Sequence, residues 1–202
     1  MKFQLKISVI ITVLVFSVCD FLTTTFFQDF LGTPLFFDTI FMIAALFAFG
    51  PAAAFFEYIV FISLICVKLM ILYGKTDFVY LYALSALTII VVTWLFIRRK
   101  ENLSRGVNIT FLYILTASIL SGLACAVVSG IIGFFTFSFN QKDWNFDTLI
   151  YAFNGEPLDF LASSILGRIP VTILDRVITT FAGFGVFKLY GSLKIGREQV
   201  LR

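Results

Sequence analysis

Apolar residues run along this chain in long unbroken blocks, separated by short polar breaks rather than alternating one by one with polar residues. A hydrocarbon core of about 30 Å needs about 20 apolar residues in an α-helix. Read against that length, the blocks predict six transmembrane helices, near residues 6–27, 37–50, 52–73, 78–97, 107–135 and 167–190. Continuous blocks do not fit the alternating strands of a membrane barrel, and a bilayer offers backbone polar groups no partner outside a helix or a closed barrel, so the expected class is an all-α bundle. The second block is short and Gly50-Pro51 follows it at once, which predicts a tight helical hairpin between the second and third segments. The fifth is long enough to project beyond a bilayer. The sizeable loop, Ser138 to Leu166, carries Asp143, Trp144, Asp147 and the turn-like Asn154-Gly155-Glu156-Pro157.

Composition narrows the class. With 202 residues, 60% of them hydrophobic and 27 of them Phe, the chain has more apolar surface than a soluble globule of this size can bury. The expectation is a single integral membrane domain over residues 1–202 with no separate soluble part. No short signal-type core with a small-residue cleavage site follows Met1, so the first block is expected to stay as an anchor. Lys2 and Lys6, then Arg98, Arg99, Lys100 and Arg105, then Lys188, Lys194, Arg197 and Arg202 all fall on one side of the predicted bundle. The positive-inside rule then puts both termini in the cytoplasm and the long loop outside. The net charge of +3 resides mostly in these flanking residues and gives no reason to invoke nucleic acid.

Charged side chains at bilayer depth cost about 2.5–3.5 kcal/mol each on insertion scales, so each calls for a partner or a function. Asp20, Asp38, Lys68, Arg168, Asp175 and Arg176 map to the outward half of their helices, and Glu57 toward the cytoplasmic half. Arg168 and Arg176 are eight residues apart, so they share a helix face with Thr172 and Thr179. Two uses are open: interhelical ion pairs, or a ligand pocket open to the outside. The preference for one leaflet favours the pocket. Trp144 and Tyr151 suit either a cap over a ligand or the interfacial aromatic belt.

Small residues recur at four-residue spacing as Ala44, Ala48 and Ala52, and as Ser118, Gly122, Ala126 and Gly130. Such stripes serve close packing within one chain or docking of a partner helix. Cys19, Cys66 and Cys125 stand singly in apolar runs and the chain has no His, which argues against a structural metal site and for buried free thiols. No GxSxG, HExxH or Walker A pattern is present, so neither an enzyme nor a resident cofactor is expected.

The stretch Gly32-Thr33-Pro34-Leu35-Phe36-Phe37-Asp38, leading through Ala44-Ala45 to Phe49-Gly50-Pro51, resembles the substrate-binding S components of energy-coupling factor (ECF) vitamin transporters. Arg168-Ile169-Pro170-Val171 and Leu174-Asp175-Arg176 ahead of Gly183-Phe184-Gly185 are similar to the last helix of that group. The resemblance implies a six-helix S-component-like bundle, multi-pass in a bacterial-type cytoplasmic (inner) membrane. It implies a receptor that captures a water-soluble vitamin or related small molecule. A transmembrane coupling subunit and two cytosolic ATPases are the partners it implies. Many S components carry an AxxxA stripe in the first helix for docking that coupling subunit. This first helix has no Ala and offers only Ser8 with Thr12, so either the Ala44 and Ala48 stripe substitutes, or docking differs, or the chain works without the usual module.

The candidate substrate-binding residues are Asp38, Lys68, Trp144, Asn154, Glu156, Arg168, Thr172, Asp175 and Arg176. Lys68, Arg168 and Arg176 suit a carboxylate or phosphate, whereas Asp38, Asp175 and the Asn154–Glu156 turn suit amines or hydroxyls. The competing class is a solitary sensory or scaffold module that binds a ligand or partner without transport. An ion channel or proton-coupled carrier fits less well, because it needs polar residues through the full thickness.

Overall fold

The computed structural model describes residues 7–33, 35–76, 78–98, 106–137 and 160–200, and among them every regular element is helical. Helix α1, Ile7–Thr25, continues into a π turn, Phe26–Phe30. Helix α2 is Ile40–Phe49, α3 is Pro51–Tyr73, and a 3₁₀ turn, Val79–Tyr82, leads into α4, Ala83–Ile97. Helix α5 is Val107–Phe137 and α6 is Phe160–Val200. Five helices are long and apolar enough to cross a membrane: Ile7–Phe30, Pro51–Tyr73, Val79–Ile97, Val107–Thr136 and Ser164–Ser192.

The expected second span differs. Only Ile40–Phe49 is helical, ten residues, and at 1.5 Å per residue this covers about 15 Å, half a hydrocarbon core. Its apolar run has another origin: Met42 to Phe47 are all buried, because α2 lies in the middle of the bundle against α1, α3, α4 and α6. A helix hydrophobic on every side is a core helix as readily as a span. Gly50, at φ 93°, and Pro51 at the first position of α3 make the predicted hairpin turn. The last helix is longer than expected at both ends, 41 residues against a predicted 167–190, and takes in the end of the predicted loop from Phe160.

Helices α1 and α3 run parallel. The Ser17 hydroxyl donates to the Glu57 carbonyl at 2.9 Å, and the Lys68 ammonium donates to Thr25 Oγ1 at 3.3 Å, so both chains climb together. Residues 31–50 therefore carry the chain back from the far end of α1 to the start of α3, with a non-helical segment over Leu35–Thr39 followed by α2.

In a bilayer, apolar surface alone gives helices no reason to associate, so close approach matters. The stripe Ser118, Gly122, Ala126 and Gly130 is buried. It packs within the chain: a Cβ on Gly130 would lie 2.9 Å from the Ile165 Cα of α6, and one on Gly183 of α6 would lie 2.6 Å from the Ile40 carbonyl oxygen of α2. Around α2 the core is completed by Phe16, Tyr58, Phe61, Ile89 and Ile90.

Candidate functional site

The return segment and the N-terminus of α2 gather the buried charges. A helix leaves its first amides without intrahelical acceptors, and Thr39, which precedes α2, makes no side-chain cap. Asp20 of α1 supplies it from outside. Its carboxylate accepts from Phe41 N at 3.1 Å and Met42 N at 3.0 Å, and it sits at the positive end of the α2 dipole.

On the other side of the segment, Asp175 Oδ1 of α6 accepts from Phe36 N at 2.9 Å and Phe37 N at 3.0 Å. Phe37 has φ 48°, a left-handed conformation that costs a side-chain-bearing residue about 1–2 kcal/mol. The Asp175 bond and the Phe27 ring, 4.2 Å away between centroids, hold it there. Arg176 closes the centre. Its guanidinium donates to Asp38 Oδ1 at 2.8 Å and is also bonded to Thr39 Oγ1 and to Asp175. Asp175 and Arg176 are 0% and 3% exposed, so this pairing is shielded from solvent, while Nε of Arg176 is buried without a partner. The Thr179 hydroxyl turns back to the Asp175 carbonyl at 2.8 Å.

Of the predicted site residues, Asp38, Asp175 and Arg176 meet here, and Thr172 is buried one turn earlier on α6. Arg176 and Asp20 lie near the middle of the candidate spans Ser164–Ser192 and Ile7–Phe30. Lys68 goes elsewhere, to a salt bridge with Asp29 of the π turn, where the side chains are 19% and 52% exposed. Arg168 lies two turns along α6 from Arg176, about 12 Å, with its guanidinium over Gly133 of α5. Trp144, Asn154 and Glu156 lie outside the described residues. Among the docking candidates, Ser8 is exposed and Thr12 bonds the Ser8 carbonyl. Ala44 is fully buried, with no surface left for a second helix, and Ala48 is partly covered.

Two participants were not among the predicted site residues: Thr39 and Asp20. For Asp20 a signal existed, since Ser17, Asp20 and Thr24 fall on one face of α1 and all are buried. Glu57 is also 0% exposed, and its carboxyl oxygens are buried. The described fold and centre thus define a helical bundle suited to a bilayer, with a broken return segment and a charged interior. Comparison with protein-family models, with curated proteins and with solved structures gives no match.

Proposed function

We propose that this chain is the solute-binding membrane subunit of an uptake system. It takes up a water-soluble vitamin or related small molecule and works with a transmembrane coupling subunit and two cytosolic ATPases. The observation that carries the reading is the non-helical segment Leu35–Thr39, held inside the bundle by Asp175 and Arg176. Irregular backbone is tolerated at bilayer depth only where protein buries it or where it lines a cavity, and solute sites of carriers are built at such breaks. Asp38 is the partly exposed partner of Arg176. An anionic group of the solute replaces it on the guanidinium when the segment moves outward, and Asp38 returns when the solute leaves.

In this reading residues 31–50 count as a crossing, the parallel run of α1 and α3 supports it, and six crossings put both termini on one side. The Lys and Arg clusters make that side the cytoplasm of a bacterial-type inner membrane. A sensory or scaffold module of the same fold is the second reading, favoured by one observation: Asp175 and Arg176 are buried and paired with one another.

Native mass spectrometry of protein released gently from detergent separates the two. Import predicts a stoichiometric bound solute whose affinity falls sharply in Arg176→Ala, assayed well below that variant's unfolding temperature. A folded protein that is reproducibly empty and gives no thermal shift with a vitamin panel overturns the import reading in favour of the scaffold.

A further inference from the structure

One edge of the Arg176 guanidinium is only half used. Nε and Nη2 of an arginine present hydrogens side by side, a pair of donors matched to the two oxygens of a single carboxylate. Here Nη2 donates to Asp38 Oδ1 at 2.8 Å and is also bonded to Asp175, whereas Nε is buried with no hydrogen-bond partner. Arg176 is 3% exposed, so the open donor lies in the protein interior and not in bulk water. The two acids on the fork are not equivalent. Asp175 is fully buried and its Oδ1 also accepts the amides of Phe36 and Phe37. The Asp38 side chain is 19% exposed, sits on the non-helical segment and meets Arg176 through one oxygen, so it is the ligand that can be exchanged.

Charge restricts what can take its place. The centre sets two carboxylates against one guanidinium. Other basic side chains of α3 and α6 lie elsewhere: Lys68 on Asp29, Arg168 about 12 Å away along α6 and Lys188 over the Phe184 ring. A solute that brings an anion alone would leave the displaced Asp38 beside Asp175 with no cation to meet it once the segment closes again, and an uncompensated charge in the interior is strongly unfavourable. A solute that also brings an ammonium gives Asp38 a new partner and leaves the charge of the centre unchanged.

We propose that the solute of this centre is a zwitterion, its carboxylate lying across Nε and Nη2 of Arg176 and its ammonium on Asp38. This rests on the binding-subunit reading above and narrows its solute to small molecules that carry both a carboxylate and a protonated amine. Thr39 and Asp175 keep their bonds to Arg176 and hold the fork in position.

Isothermal titration of the full chain in detergent with three probes of similar size tests this: γ-aminobutyrate carries both charges, butyrate the carboxylate alone and butylamine the ammonium alone. γ-Aminobutyrate should bind at least about tenfold more tightly than either of the others. In Asp38→Asn, which keeps the size of the side chain and removes its charge, the preference over butyrate should vanish. Equal affinity for γ-aminobutyrate and butyrate in the wild type, tighter binding of butylamine, no binding of any probe, or a preference that survives in a folded Asp38→Asn protein overturns the proposal. Native mass spectrometry decides the underlying reading separately. A bound solute that lacks either charged group overturns the zwitterion and leaves import standing, whereas an empty protein that ignores the vitamin panel yet ranks the three probes as expected upholds the zwitterion site and overturns import.

Discussion

At the scale of single residues, the dominant fact is that one guanidinium serves three partners. Arg176 reaches Asp38, Asp175 and Thr39 at once because its donors are spread over a planar fork, whereas a lysine has one compact ammonium on a flexible stem. Removing one side of a buried pair leaves the other charge uncompensated and costs about 3–5 kcal/mol. Arg176→Ala is therefore expected to lower the unfolding midpoint in detergent strongly, and Arg176→Lys to recover less than half of the loss. An Arg176→Lys protein as stable as the wild type would mean that the fork geometry contributes nothing. The Lys68–Asp29 bridge gives the opposite expectation. It is partly exposed, and exposed pairs contribute about 0–1 kcal/mol, so Lys68→Met should leave the midpoint within a degree or two of the wild type.

At the scale of elements, packing depends on where two helices touch, and two glycines of α6 only two residues apart differ for that reason. A Cβ at Gly183 meets the Ile40 carbonyl at 2.6 Å and Ile43 side-chain atoms at 2.8 Å, whereas Gly185 has nothing within 4 Å. Gly183→Ala must push α6 away from the first turn of α2, an overpacking cost of about 1–3 kcal/mol. Gly185→Ala should gain about 0.5–1 kcal/mol from helix propensity alone. Thermal unfolding of the two variants should move in opposite directions, and a shared direction would contradict the α2–α6 contact. The elements also mark what the sequence could and could not disclose. Long apolar runs reveal α1, α3, α4, α5 and α6 because a span has a length requirement. The run at 37–50 does not disclose its half-length helix, because burial on all sides and bilayer immersion select the same residues. Asp38, Asp175 and Arg176 stand out as charges in apolar surroundings. The contact of Ser17 with the Glu57 carbonyl does not, since it exists only because α1 and α3 run parallel at one particular stagger, and nothing local in either helix encodes that.

At the scale of the whole molecule, the parallel run of α1 and α3 sets how the bundle is threaded. Ser17 beside Glu57, and Thr25 beside Lys68, set α1 and α3 parallel in the bundle. Residues 31–50 then return along the bundle between them, although only ten of these residues are helical. Helix α2 packs on α6 with Phe47 against Phe184 and Phe187, and Tyr190 lies 5.7 Å from Phe49 between ring centroids, so the lower part of α6 descends beside α2. The N-terminal end of α1 and the C-terminal end of α6 therefore emerge at the same end of the bundle. If α2 were instead a shallow insertion that returned to its starting side, α1 and α3 would be antiparallel and the Ser17–Glu57 and Thr25–Lys68 contacts could not both form. Reporter fusions at the two termini distinguish these cases. A fluorescent protein that matures only in the cytoplasm should be bright at either end, and a periplasm-dependent phosphatase inactive at either end. Opposite behaviour of the two termini would contradict the emergence of α1 and α6 at the same end of the bundle.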